Sequence, residues 1–245
     1  MEKTNYEFLT EELKYLGFGD SLNLSLEEKI KENSGNFELY YSGNINDKPI
    51  DAILYFARPV PDGFYFFSDY QLALGDKLQH FKIFKGRGVT LKEGYNLLSG
   101  RAVLKQLIGK NGQKYNAWIQ LDLDKKEGEN FKVITYHDSY GYDLSAALDS
   151  FQIETPSSNW DRSMLLKSLQ RGNLQSAFLR DNSGMKRILI EANPKQKTIT
   201  IREDEIFSGT ADTRNVQTEA AHAETDDIEN VLNKKNPGTK RLKDI

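Results

Sequence analysis

The stretch YHDSYGYD, residues 136–143, holds the densest group of side chains that could transfer protons. These are His137, Asp138, Tyr140, Tyr142 and Asp143. Together they offer the groups that serve as general acids and bases. A structural interpretation fits equally: His137 ends a strand, Gly141 forms a turn and Asp143 caps the next helix. We favour the structural interpretation, because the sequence offers no partner nucleophile or oxyanion donor for these groups.

Metal chemistry has few candidate ligands in this chain. There is no cysteine, which excludes disulfides, thiolate zinc sites and cysteine nucleophiles. The histidines His80, His137 and His222 are scattered, so no pair with zinc-ligand spacing exists. Asp122 and Asp124 fall on one side of a predicted strand and could bind Mg²⁺ or Ca²⁺ through oxygen, but they also flank the solvated turn DKKEGEN. We predict no metal site and no cofactor.

A second candidate is the glycine-containing stretch KGRGVTLKEG, residues 85–94, which resembles a phosphate-binding loop. A dinucleotide loop needs a third glycine where this sequence has Leu91, and no Walker-type Gly-Lys-Ser/Thr follows. Thr90 and Glu93 instead have the spacing of a capping box. They predict a short helix that starts at Leu91 and is closed by Gly100. An anion held at the start of this helix by the neighbouring basic side chains is the alternative.

Nucleic-acid binding would require a local basic surface, since the formal net charge of the chain is −3. Exposed aromatic side chains would add base stacking to such a surface. The residues that we select for this role are Lys85, Arg87, Arg101, Lys110, Lys114 and Trp118. Trp118 lies on the polar side of the alternating strand YNAWIQLDL, where it could contact a partner or a base. A covering helix or a neighbouring unit is the favoured explanation for this tryptophan.

The order of predicted elements recurs along the chain. A helix followed by three strands is predicted three times, and the helices close at Gly35, Gly100 and Gly172. The first of these helices opens with the capping-box pattern Ser25-x-x-Glu28. We predict an α+β fold of about three αβββ units with antiparallel strands, preceded by an N-terminal helix. The alternative is an ordinary α+β fold in which these signals recur by chance.

The predicted units divide the chain into four parts. Residues 1–75 hold the N-terminal helices and the first unit, residues 76–155 the second and residues 156–207 the third. Residues 208–245 lack aromatic side chains and have little apolar surface, so we expect a disordered polar tail. The first residues lack the pattern of a secretion signal, and no apolar run approaches the length of a bilayer span. We expect a cytoplasmic protein with no membrane contact.

Several phrases of this sequence resemble a family of uncharacterised Bacteroidota proteins that is often found on conjugative or other mobile elements. The phrases are GRGVTLKEGYNLLSGRAVLKQL, GQKYNAWIQLDLD, YHDSYGYDL, SLQRGN and IEANPKQKTITI. The likeness runs from LKYLGFG to IRED and so covers most of the chain. The family brings no agreed activity, cofactor or catalytic residue. The resemblance therefore implies a mobile-element context and nothing about individual residues.

These observations lead to three hypotheses of different classes. The first is a non-enzymatic binding or interaction protein linked to a mobile genetic element, with a protein or nucleic acid as its partner. The second is a protein that binds single-stranded or duplex nucleic acid through the basic residues and Trp118. The third is a metal-dependent hydrolase or nuclease that uses Asp122, Asp138 and His137. We prefer the first and leave catalysis, partner identity and oligomeric state open.

Overall fold

A computed structural model gives the fold. The described residues are 4–60, 63–84, 87–109, 111–151, 153–154, 162–181 and 184–203. They belong to one compact unit that spans Met1–Asp204. The predicted tail, residues 208–245, lies outside the described residues.

Two helices and a four-stranded sheet form the first part of the chain. Their bounds are α1 Asn5–Tyr15, α2 Asn23–Lys31, β1 Phe37–Ile45, β2 Lys48–Ala57, β3 Phe66–Leu74 and β4 Lys77–Lys82. A capping box between Thr4 and Glu7 starts α1. The strands form an antiparallel meander in the order β1-β2-β3-β4. Asn46 and Asp47 connect β1 to β2 with positive φ angles of 50° and 58°, as a tight hairpin turn requires.

Two predictions for this part, the Ser25 cap and the closing Gly35, were wrong in detail. The helix α2 begins at Asn23, so Ser25 lies within its first turn and does not cap it. The helix α2 ends at Lys31, and the residue with a left-handed conformation after it is Asn33 (φ 50°). The predicted closing residue, Gly35, does not have a positive φ angle. The strand β4 pairs with β3, so the first sheet extends to Lys82, past the predicted boundary at residue 75.

The middle part contains a buried helix and a three-stranded antiparallel sheet. Its elements are α3 Leu91–Leu98, β5 Val103–Ile108, β6 Lys114–Glu127 and β7 Asn130–His137. The predicted capping box of Thr90 and Glu93 is confirmed, and so is the left-handed Gly100 (φ 84°) that closes α3. The strand β6 runs further than predicted, because a register irregularity between Asp122 and Lys126 carries it through the expected turn.

The last described part pairs two helices with a second four-stranded sheet. Its elements are α4 Leu144–Asp149, β8 Ile153–Glu154, α5 Arg162–Gln170, β9 Gln175–Asp181, β10 Gly184–Asn193 and β11 Thr198–Glu203. The strand order is β11-β10-β9-β8. Short 3₁₀ helices occupy Asp138–Tyr140 and Pro194–Gln196. The fold is thus mixed helix and antiparallel sheet, as the sequence predicted.

The sheet β5–β7 carries apolar side chains on both faces and separates two clusters of buried residues. Ile119 and Phe131 belong to the cluster shared with α1, α3 and the sheet β1–β4. Trp118 and Tyr136 belong to the cluster shared with α4, α5 and the last sheet. Since successive residues of a strand point to opposite faces, neighbouring positions of β6 serve different clusters. Among the described helices, none is long and apolar enough to cross a membrane.

Two left-handed glycines allow the packing around α3 to be tested. Gly172 (φ 78°) lies so close to β5 that an added Cβ would meet the Ala102 carbonyl oxygen and the Val103 side chain at 2.9 Å each. Gly112 (φ 77°) has nothing within 4 Å of the same position. We expect Gly112→Ala to cost about 1–2 kcal/mol through backbone strain alone. Gly172→Ala should cost about 1–3 kcal/mol more, because the neighbours must also move. Urea unfolding of both variants measures the difference, and equal losses would contradict the packing.

Candidate functional site

The side chains that could transfer protons have structural roles. His137 ends β7, Gly141 takes a left-handed φ of 76°, and the Asp143 carboxylate accepts hydrogen bonds from the amides of Ser145 and Ala146. These positions confirm the structural interpretation of the stretch. The His137 ring stacks on Tyr115 with 5.0 Å between ring centroids. The hydroxyls of Tyr140 and Tyr142 donate hydrogen bonds to the main-chain carbonyls of Lys195 and Thr198. These bonds connect the segment to the hairpin of β10 and β11.

The predicted carboxylate ligands do not assemble into a metal site. Asp122 lies 3.9 Å from the Lys125 ammonium and accepts a hydrogen bond from the amide of Asp124. In the described ranges, no group of three histidine or carboxylate side chains is placed to share a metal ion. The hydrolase hypothesis based on Asp122, Asp138 and His137 therefore finds no support in the geometry.

The described part of the glycine-containing stretch, residues 87–94, leads into α3 and forms its first turn. Phe84 and Arg87 exchange two main-chain hydrogen bonds of 2.8 and 3.0 Å. Lys85 itself lies outside the described residues. A Cβ added to Gly88 would come within 2.4 Å of the Ile83 side chain, so this glycine allows close packing of the chain.

Arg101 is half-buried and forms hydrogen bonds within the protein. Its Nε donates to the Gly172 carbonyl at 2.8 Å and its Nη2 to Asn96 Oδ1 at 2.5 Å. The guanidinium also lies over the Tyr95 ring, 5.4 Å from its centroid. Burial lowers the pKa of Arg101 from its usual range, which the nearby Tyr95 and Glu191 partly offset. Arg101 thus joins α3 to the loop after α5, and its guanidinium is engaged within the protein.

Trp118 is also a core residue. Only 6% of its surface is exposed, and its ring lies 5.3 Å from that of Tyr142. The covering elements that we favoured for Trp118 are present, and they leave no exposed ring face for base stacking. Lys114 is exposed at the start of β6, opposite Ile108, whereas Lys110 lies outside the described residues. Of the described members of the predicted set, Arg87 and Lys114 are exposed, Arg101 is half-buried and Trp118 is buried.

A different surface carries exposed aromatic and charged groups together. The sheet β1–β4 packs one face against α1, α2 and α3 and presents the opposite face outward. We call this second face the outer face. From the strand register, its members are Glu38, Tyr40, Ser42, Asn44, Pro49, Asp51, Ile53, Tyr55, Asp69, Gln71, Ala73, Leu78, His80 and Lys82. The sequence analysis named only His80 of this set, as one of three scattered histidines, and predicted none of them as a site residue.

Tyr40 is the most prominent side chain of the outer face, with 70% of its surface exposed. Its hydroxyl donates to Glu38 at 3.1 Å. Two residues further along β1, the Ser42 hydroxyl donates a hydrogen bond of 2.6 Å to the carboxylate of Asp51, its partner on β2. Neither Glu38 nor Asp51 has a cationic partner among the described residues. Tyr40 therefore stands between two carboxylates that form no ion pair within 4.0 Å with a described residue.

A second group lies on the β3–β4 side of the outer face. His80 Nε2 is 2.5 Å from Asp69, whose other carboxylate oxygen accepts a hydrogen bond of 2.6 Å from Ser68. The Tyr55 ring lies 5.3 Å from the His80 ring. Partial burial raises the pKa of Tyr55, and the negative charges of Glu38 and Asp69 raise it further. The phenol thus stays a neutral hydrogen-bond donor between two carboxylates.

The outer face also contains a concavity of about 310 Å³. Its walls include Tyr40, Ser42 and Asp51 together with Ile53, Gln71 and Leu78. An apolar floor with a few polar groups at the rim is the usual construction of a binding site. The face as a whole carries three carboxylates and one lysine, so its field favours a cationic ligand over a phosphate.

Comparisons of this chain with models of known protein families, with curated proteins and with solved structures found no match. The geometry of the site is therefore the basis for its functional interpretation.

The two described arginines of the predicted nucleic-acid set allow a paired test. Arg101→Met removes the hydrogen bonds to Gly172 and Asn96, and we expect it to lower the free energy of unfolding by about 1–3 kcal/mol. Arg87→Met changes an exposed side chain and should alter stability by less than about 0.5 kcal/mol. Denaturant unfolding compares the two variants. Equal stability of both would contradict the structural role of Arg101.

Proposed function

We propose that this protein is a binding module whose contact surface is the outer face of the sheet β1–β4, and that it binds a protein segment rich in arginine or lysine. The observation that carries the proposal is the exposed Tyr40 ring between the carboxylates of Glu38 and Asp51, at the rim of the concavity. An exposed tyrosine beside carboxylates without a cationic partner can bind a guanidinium or ammonium group in two ways. The ring offers a cation–π contact, and the carboxylates attract the positive charge.

The chemistry of the face favours a protein partner over nucleic acid. Phosphate groups are recognised by clustered lysine and arginine side chains, and the outer face contributes Lys82 alone. Its carboxylates would repel a phosphate backbone. Tyrosine is among the residues that contribute most to protein–protein contacts, since its ring offers a large area with one polar end. We therefore prefer the interaction hypothesis to the nucleic-acid hypothesis.

We further propose that the three αβββ units of the sequence prediction share an origin. The succession of a helix and an antiparallel meander supports this, since α2, α3 and α5 each precede three consecutive strands. The additional strand β4 in the first unit departs from the pattern. On this proposal, the first unit keeps an outward sheet face while the second has both faces covered. The association with a mobile genetic element, including a partner encoded there, is a proposal from the family resemblance alone.

The peptide-binding proposal can be tested with two tyrosines of equal exposure. Tyr40 and Tyr15 are both 70% exposed, but Tyr15 ends α1 and does not belong to the outer face. The probe is a fluorescein-labelled nonapeptide of alternating arginine and threonine, and the measurement is fluorescence anisotropy with the full chain. We expect Tyr40→Ala to weaken binding by about three- to fivefold through loss of the cation–π contact. Tyr15→Ala should leave the affinity unchanged.

Further variants separate the outer face from general acidity. We expect the pair Glu38→Gln and Asp51→Asn to weaken binding more than Glu27→Gln combined with Asp149→Asn, which removes equal charge from other surfaces. A matched glutamate–threonine peptide should not bind. Equal losses from both pairs, or tighter binding of single-stranded DNA than of the arginine peptide, would reject the proposal.

A further inference from the structure

The edge strand β1 exposes a long, regular main-chain edge. It pairs with β2 over all nine of its residues without a register irregularity, and no other described strand pairs with it. The opposite edge of this sheet, β4, is partly covered by β7. The Gln79 side chain of β4 accepts a hydrogen bond from the amide of Phe131, and the amide of His80 donates to the side chain of Asn130. Of the described edge strands, β1 is the longest.

Proteins usually protect such an edge with lysine, proline, a bulge or a short strand. The sequence of β1, FELYYSGNI, has none of these and contains Glu38 as its one charged residue. Apart from Glu38, the first half of the strand is aromatic or apolar, which favours extended pairing. The Tyr41 ring lies over Gly43 and covers the position where a side chain is missing. This strand is therefore suited to accept a further strand.

We propose that the occupant is β1 of a second copy of the protein, in antiparallel orientation about a twofold axis at Tyr41. Only this register pairs all nine residues, because Tyr41 is the midpoint of Phe37–Ile45. The two sheets β1–β4 would join into one continuous eight-stranded sheet. An isologous contact of this kind is the common way for identical chains to form a closed dimer.

The side chains match across this register. On the inner face, Phe37 lies opposite Ile45 of the second copy, and Leu39 lies opposite its Gly43. On the outer face, Tyr40 lies opposite Ser42 of the second copy, and Glu38 lies opposite its Asn44. Each of these pairs follows from the midpoint at Tyr41 and the alternation of the strand. No like charges meet, since Glu38 faces a neutral amide. A foreign segment would need a matching pattern, whereas a second copy supplies one.

Asn44 provides a test of both the dimer and its register. It is exposed, so a changed side chain leaves the monomer fold intact. Asn44→Lys would face Glu38 of the second copy and strengthen the dimer, whereas Asn44→Glu would repel it. Each exchange acts twice in a twofold dimer, so the two dissociation constants should differ by about tenfold or more. Sedimentation equilibrium of the full chain measures them, with thermal unfolding of each variant as the control for folding.

The double variant Glu38→Lys with Asn44→Glu restores opposite charges in the proposed register, and it should dimerise more tightly than Asn44→Glu alone. A protein that stays monomeric at all concentrations overturns the proposal. So does a dimer whose affinity is insensitive to the charge at position 44. Neither result affects the binding of the arginine peptide to the outer face, so this inference and the proposed function fail or hold separately.

Discussion

The fold depends on the burial of α3 on nearly every side. Seven of its eight residues are buried, including the polar Glu93 and Asn96. A Cβ on Gly94 would come within 2.9 Å of Leu72, 3.0 Å of the Tyr70 hydroxyl and 3.1 Å of Phe81, so only glycine lets the helix approach the sheet β1–β4 so closely. The polar groups are satisfied within the protein. Glu93 pairs with Lys105 at 2.8 Å, and Asn96 bonds to Arg101 and to the main-chain carbonyl of Arg171. A buried polar group without such partners would be destabilising.

This central helix determines which surfaces can serve a partner. It covers one face of the sheet β1–β4 and, with that sheet, one face of β5–β7, whose second face is closed by α4 and α5. The aromatic residues of the middle sheet are consequently used in packing, as Trp118 illustrates. The outer face of β1–β4 and the edge of β1 remain open. Both the proposed peptide contact and the proposed dimer thus belong to the same sheet, one through its face and the other through its edge.

Local hydrogen bonding explains what the sequence could predict. The capping box at Thr90 and the cap at Asp143 were found because their partners lie within three residues. Gly100 and Gly172 were found because a left-handed helix end favours glycine. The Ser25-x-x-Glu28 pattern gave a wrong helix start, because the capping-box spacing also occurs inside the first turn of α2. The alternation along β6 correctly placed Trp118 on the sheet face opposite to Ile119. A strand pattern does not reveal, however, which elements pack on each face.

The candidate site depends on contacts that no short motif encodes. Ser42 and Asp51 meet only through the register of β1 and β2, and Asp69 and His80 only through the pairing of β3 and β4. Arg101 is a second example: its basic side chain suggested a ligand contact, but its Nε donates to the carbonyl of Gly172, which is 71 positions away in the sequence. Sequence separation of this size is beyond reasoning from periodicity and caps.

Hydroxyl-radical footprinting of the tyrosines, with and without the alternating arginine–threonine peptide, tests the central claim most directly. We predict that the peptide protects Tyr40 from oxidation while Tyr15, which is equally exposed, reacts at an unchanged rate. Equal protection of both tyrosines, or protection confined to residues outside the sheet β1–β4, would contradict it.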